Sequence, residues 1–201
     1  MTQYNDQAIV LLAAGNSSRM GTSKQMLNMN GKTLLEHTVS CAVASHISNI
    51  LVVLGANVTE HKAVLTGSPV SVLVNPDWAK GMGCSLKAGL KKIIDQYNNV
   101  QAVMVIVCDQ PLLTSNHIDA LAEVYQKRRP LAIASQYNGT YGVPAIFDRS
   151  IFSHVLMISD HSGAREVLQK MERELVMVPF DGGEIDLDTP QDYRDYMNRG
   201  H

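Results

Sequence analysis

A surplus of charge is missing from this chain: 17 Lys and Arg stand against 19 Asp and Glu, a formal net charge of -2. Without a global field nothing gathers nucleic acid or an anionic membrane surface, so neither is expected as a partner and any anion must be held by a local cluster. Cysteine is scarce as well. Cys41, Cys84 and Cys108 are odd in number and widely spaced, with no C-x-x-C pair, which argues against a disulfide or a zinc site and for reduced thiols. Cys108 reads as a small apolar filler of a buried strand. Apolar runs of membrane-spanning length are lacking and residues 1–6 are polar, so no transmembrane helix or secretion signal is expected, and the expected location is cytoplasmic. Repeats, low-complexity tracts and linker-like stretches are absent too, and the 201 residues read as a single domain over 1–201.

What is present is a series of strand-length apolar runs at 8–14, 50–54, 70–74, 103–107 and 131–134, suited to buried parallel strands. Segments of helical period separate them, at 33–45, 59–65, 85–97 and 115–128, and this alternation predicts an α/β layer fold. Between 139 and 149 a turn followed by Val143, Ala145 and Phe147 predicts an antiparallel strand on the substrate side. A helix at 163–171, a strand at 175–180, a turn at Asp181-Gly182-Gly183 and a last helix capped at Asp188-Thr189-Pro190 complete the reading. Open parallel sheets bind ligands beyond the carboxyl ends of their strands. The loops to inspect are therefore 15–24, 55–57, 75–85 and 108–111.

In the first of these, a fully apolar run breaks into small residues and ends in two cations. Gly15 and Gly21 let backbone N–H groups approach an anion, while Arg19 offers a two-pronged grip on phosphate oxygens and Lys24 a movable point charge. That composition reads as a phosphate-holding loop; the alternative is an ordinary strand-to-helix connection with solvated basic residues. The dinucleotide fingerprint G-x-G-x-x-G fails because Ser17 stands where the second glycine belongs. The P-loop fails as well, since Gly31-Lys32-Thr33 would need an earlier glycine at Met26. Gly31 and Lys32 instead make a turn into a helix capped by Thr33, with Glu36 completing a capping box.

The 75–85 loop is again glycine-rich before a helix, which would gather free N–H groups around an anion or a base; alternatively Ser85 is a plain N-cap and Trp78 a partly buried anchor. Asp109 stands at the mouth of a buried strand, a costly place for a lone carboxylate and a natural one for a magnesium ligand. Asp186 and Asp188 share one face if their segment is extended, so either could complete a metal site, although Asp188 could also cap the terminal helix.

These residues together resemble the molybdenum cofactor nucleotidyltransferases, within the nucleotide-diphospho-sugar transferase superfamily. Residues 12–24 match L-A-x-G-x-S-x-R-M-G-x-x-K in full, and Gly81-Met82-Gly83-Cys84-Ser85-Leu86 matches a Gly-Met-x-x-Ser-Leu core. Asp109-Gln110-Pro111 resembles D-x-P, Gly142 and Pro144 a G-x-P element, 160–165 a D-x-x-G-A-R stretch, and 186–190 D-x-D-T-P. The resemblance implies a three-layer α/β/α, Rossmann-like nucleotidyltransferase with a mostly parallel sheet. It implies Arg19, Lys24 and Asp109 as catalytic residues, and a nucleotide site of Leu12, Ala13, Ala14, Gly15, Arg19, Lys24, Asn75, Gly83, Ser85 and Asp109. Mg2+ would sit on Asp109 with Asp186 or Asp188.

Ala14, where the guanylyl branch has a second glycine, and Gln110 are similar to the cytidylyl branch. This implies CTP as donor, a molybdopterin-type phosphate as acceptor, and a molybdoenzyme apoprotein as a possible recipient of the product. Val143 departs from the histidine that cytidylyl members often carry in the G-x-P element. The attacking phosphate, with a second pKa of about 6, is already largely dianionic at neutral pH and needs no general base. That agrees with the scatter of His37, His46, His61, His117, His154, His161 and His201, all read as surface or structural. Guanylyl transfer, nucleotidyl transfer to a sugar or polyol phosphate, and a non-catalytic nucleotide-binding relative are the alternatives.

Overall fold

Residue alternation along the first strand builds two layers at once. The structure, a computed structural model, describes residues 3–199. Strand β1 (Gln7–Ala13) is buried along its whole length. It sends Ile9, Leu11 and Ala13 into one apolar core and Ala8, Val10 and Leu12 into the other. The chain then makes a small hairpin, β2 (Asn28–Met29) and β3 (Lys32–Thr33), followed by α1 (Leu34–Ala44), β4 (Asn49–Leu54), α2 (Val58–Val64) and β5 (Ser71–Val74). After these come α3 (Met82–Gln96), β6 (Ala102–Val107), α4 (Ser115–Arg128), β7 (Ala132–Tyr137) and β8 (Thr140–Asp148). The last elements are α5 (Phe152–Leu156), α6 (Ala164–Lys170), β9 (Leu175–Pro179) and α7 (Pro190–Asn198).

Seven strands form one sheet in the order β5-β4-β1-β6-β8-β7-β9. Its first four strands are parallel, β8 runs antiparallel to both β6 and β7, and β9 is parallel to β7. Leu34, Leu35 and Val39 of α1 and Ile118, Leu121 and Tyr125 of α4 fill the core on one face. Leu86 and Leu90 of α3, Phe152 of α5 and Val167 of α6 fill it on the other. The result is the expected mostly parallel α/β/α arrangement, with seven α-helices among the described residues. None of the helices searched is long and apolar enough to cross a membrane.

Two strand expectations change at the edges. The 70–74 run forms one edge strand of the sheet, half-buried and exposed in alternation rather than enclosed, with Val72 and Val74 each 37% exposed. The 131–134 run extends to Tyr137 because Asn138 and Gly139, both at positive φ, make a two-residue turn that returns the chain as β8. The helix starts follow the capping chemistry. Thr33 with Glu36 closes a capping box on α1, and Thr189 with Asp192 does the same on α7, where Pro190 takes the first helical position. Thr189 therefore caps the terminal helix, and Asp188 is left for another role.

The position of β1 sets the site. Its neighbours β4 and β6 lie on opposite sides: the chain winds outward from β1 to β4 and β5 and then crosses back through α3 to β6, so strand order reverses at β1 and leaves a crevice above Leu12 and its register partner Val107.

Candidate active site

Beyond β1 the chain loops through residues 15–23 and comes back as a single 3-10 turn, Lys24–Met26. Gly21 takes φ +73°, a conformation that a Cβ would strain. The return brings Lys24 over the end of β6. Its Nζ donates to Asp109 Oδ2 at 2.6 Å and to Asp188 Oδ1 at 3.1 Å, while an Arg19 guanidinium nitrogen donates to Asp188 Oδ2 at 2.7 Å. The loop cations and the acidic strand end thus lie side by side. Leu187 places the second acidic segment: its side chain is fully buried and its N–H donates to the Asp109 carbonyl at 3.0 Å.

Three cavities adjoin at Lys24 and Asp109. The first, about 450 Å³, is lined by Leu12, Ala14, Gly15, Trp78, Met82 and Ser85, together with Lys24 and Asp109. A notch beside it is walled by Gly15, Ser17, Arg19, Lys24 and Asp188. The other, about 200 Å³, has Gln110, Tyr137, Tyr141, Val143, Arg165 and Asp186 in its wall, and it shares Leu12 and Asp109 with the first.

Three residues expected around the nucleotide fall away from these cavities. Ala13 belongs to the core on the opposite face of β1. Asn75 is buried, with its amide donating to Ser85 Oγ at 3.0 Å, so it orients that hydroxyl from behind. Gly83 faces the 159–162 loop, where a Cβ would run into the carbonyl oxygens of Ser159 and Ser162. Gly83→Ala is expected to cost about 1–3 kcal/mol by forcing that loop outward, read as a lowered thermal midpoint without loss of secondary structure.

The helix after this loop also differs from expectation. It begins at Met82, with Gly81 at φ +127° as its N-cap, so Ser85 lies within its first turns instead of capping it. The Cys84 N–H is already committed to the Asp160 carbonyl at 3.2 Å, and Asp160 in turn pairs with Lys87 at 2.6 Å. This helix end is tied to the 158–163 segment, and what it presents to the first cavity is the Ser85 side chain together with Met82.

The electrostatics of the cluster favour a divalent cation. Burial pulls the Lys24 ammonium down, but Asp109 and Asp188 outweigh it and hold the pKa above the ordinary lysine value. Asp186 is exposed as a residue, yet its carboxyl is pushed up to about 7, first by desolvation against its surroundings and then by the neighbouring Asp109 and Asp188 charges. Asp109 Oδ1 is buried and has no hydrogen-bond partner. An orphaned carboxylate oxygen beside a crowded acidic pair fits an ion that takes one or two protein carboxylates and completes its shell with phosphate and water. Among the described residues no three His, Cys, Asp or Glu side chains group as a ready-made metal site. Asp109 with Asp186 or Asp188 would therefore form a partial cradle.

Cys108, fully buried with its thiol pushed up to about 12 by burial, is the inert filler expected. His117 is buried against Phe180, ring centroids 4.2 Å apart, and burial lowers its pKa to about 4. His46 pairs with Asp119 at 2.7 Å; His201 lies outside the described residues. Gln110 stands in the wall of the second cavity, where its amide nitrogen donates to Val143 and Gly183 carbonyls. Gln25, Tyr137 and Tyr141 belong to the site region without standing in any of the sequence motifs. The two tyrosines bracket the Asn138-Gly139 turn, and the hairpin signal pairs Tyr137 with Thr140 and Tyr141 with Gln136.

Residues 9–175 match the family described as MobA-like NTP transferase domain. PucB, the purine catabolism protein of Bacillus subtilis (strain 168), is 30% identical over 198 residues, covering 92% of each chain. The molybdenum cofactor cytidylyltransferase of Escherichia coli (strain K12) is 27% identical over 185 residues, again 92% of each. Rv0371c of Mycobacterium tuberculosis H37Rv shares the fold at a TM-score of 0.83 and 22% identity, over 96% of this chain and 98% of that one. Its complex with manganese gives 0.79 at 22% identity, over 96% and 99%.

Proposed function

The chain belongs to the MobA-like NTP transferase family and is a nucleotidyltransferase, and from this we propose that it transfers CMP from CTP to the phosphate of a molybdopterin-type acceptor. The observation that carries the reading is the Lys24, Arg19, Asp109 and Asp188 cluster at the junction of the three cavities. The base and ribose occupy the first cavity, the triphosphate runs past Lys24 into the notch at Arg19, and the acceptor enters the second cavity. There Tyr137, Tyr141 and Arg165 suit a flat ring that carries a phosphate.

An acceptor phosphate oxygen bonds to the α-phosphorus as the bond from that phosphorus to the β-bridging oxygen breaks, and pyrophosphate leaves with the electron pair. No proton has to be removed from a dianionic phosphate. Lys24 neutralises charge between donor and acceptor, and Arg19 grips the departing diphosphate. Magnesium, held by Asp109 with Asp186 or Asp188, supplies charge neutralisation at the phosphates when bound. Divalent metal use is supported by the manganese complex of the mycobacterial neighbour.

CTP over GTP is supported by the Ala14 methyl in the first cavity and by the similarity to the cytidylyltransferase of Escherichia coli along 92% of both chains. The product would pass to a molybdoenzyme apoprotein, with residues 1–201 acting as one catalytic domain in the cytoplasm. Pyrophosphate release from CTP, GTP, UTP and ATP, with magnesium and with or without molybdenum cofactor, tests it. Release is expected with CTP and only when the acceptor is present. Preference for GTP would reassign the enzyme to guanylyl transfer, and silence with every nucleotide would mark a non-catalytic relative.

A further inference from the structure

Gln25 is 1% exposed, yet it directly follows the lysine at the centre of the site. Its amide nitrogen donates to the carbonyls of Ala13 and Gly15, at 3.3 and 3.0 Å, where the loop leaves β1. Its Oε1 accepts from the hydroxyls of Ser17 and Ser23, at 3.2 and 2.9 Å, from the body and the return of the loop. One side chain therefore ties together four points of the same loop. Ser17, a non-glycine residue at φ +54°, also accepts from the Lys24 N–H at 2.9 Å, which fixes the backbone on which the lysine stands.

The network continues away from the site. Ser23 Oγ lies 2.8 Å from Nε2 of His61, which is fully buried and is the only buried residue of α2. The single Ser23 hydroxyl proton goes to Gln25, so its lone pair accepts from His61 Nε2–H. This leaves Nδ1 bare, in agreement with its having no partner. A histidine placed where α2 would ordinarily bury an apolar residue, with one ring nitrogen aimed at the loop, serves a hydrogen bond more than packing. Ser23 and Gln25 point inward on either side of Lys24, and that leaves Lys24 directed at Asp109.

We propose that Gln25 and His61 are positioning residues that hold the 15–24 loop in its triphosphate-ready shape before any ligand arrives. The proposal rests on the reading of that loop as the nucleotide's phosphate site. Its advantage is preorganisation: a loop already fixed loses little freedom on binding, whereas a slack one loses affinity and orientation together.

The test uses the full chain and four variants. Gln25→Met keeps length and removes the amide. His61→Gln carries an N–H at the Nε2 position, whereas His61→Asn is too short to reach Ser23. Ser23→Ala removes the linking hydroxyl alone and serves if Gln25→Met does not fold. Hydrogen exchange of the 15–24 amides without ligand, and calorimetric titration with CTP and magnesium, are the two readouts. Gln25→Met, Ser23→Ala and His61→Asn are expected to exchange at least about tenfold faster in this loop alone and to bind CTP about tenfold more weakly, while His61→Gln stays near wild type. Unchanged loop exchange in the first three, or identical behaviour of His61→Gln and His61→Asn, would overturn the proposal. If the wild-type protein binds no nucleotide while loop exchange still responds as expected, the positioning network stands and the functional reading falls.

Discussion

Lys24→Ala is expected to slow nucleotidyl transfer by about 10²- to 10³-fold or more, the usual loss when one fixed charge is removed from a developing anion. Lys24 is the residue that both adjoining phosphates would share, since it lies 2.6 Å from Asp109 and 3.1 Å from Asp188 at the meeting of the cavities. The same change has a structural cost. The side chains of Lys24 and Asp109 are only 18% and 17% exposed, and Asp109 Oδ1 is already without a partner, so the alanine variant leaves a half-enclosed carboxylate unpaired. A loss of about 3 kcal/mol or less follows. Lys24→Met combined with Asp109→Asn separates the two effects: a neutral pair should recover the melting temperature and recover no transfer. Pyrophosphate release beside thermal melts of both proteins makes the comparison. Near-native turnover in Lys24→Ala would remove the lysine from the mechanism.

Asp186→Asn is expected to do the reverse, stabilising the ligand-free protein. An aspartate in an unfolded chain titrates near 3.9, whereas the folded chain holds Asp186 at about 7, through desolvation and then through Asp109 and Asp188. Between these values the folded state carries a proton that the unfolded state has released, so stability falls as pH rises through the window and the full cost is present above it. Asp186 is exposed, so screening by solvent reduces that cost to about 1 kcal/mol or less. The asparagine variant should therefore melt above wild type at pH 8 and together with it at pH 4. It should also gain less from magnesium with CTP, because a carboxylate that would face the ion is gone. Melting curves from pH 4 to 8, with and without the metal nucleotide, give both halves; no gain at pH 8 would show that Asp186 is not strained.

The cost at Asp186 and the network behind Lys24 mark where the sequence could and could not be read. Buried strands announce themselves through runs such as 8–14, and caps through Thr33 with Glu36 and Thr189 with Pro190, because both depend on neighbours along the chain. The loop 12–24 was legible for the same reason: strand, glycines and cations are contiguous. What escaped depends on partners distant in sequence. Gly83 looks like a phosphate-loop glycine until the 159–162 segment is seen against it. Ser85 looks like a cap until the Asp160 carbonyl takes the Cys84 N–H and the helix starts at Met82. His61 carried no signal at all, since its partner Ser23 lies 38 residues earlier. Asp188 fits two roles in the sequence, and only the Thr189 cap in the fold separates them.

The ion pair between Arg19 and Asp188 joins residues 169 positions apart, and that separation has a consequence during synthesis. The basic loop leaves the ribosome while the acids that neutralise it are still untranslated. Arg19 has no acidic partner until Asp188 has been made, whereas Lys24 can pair with Asp109 well before that. Synthesis of the Asp188 segment is what brings the loop's two cations into balance with both of their acids.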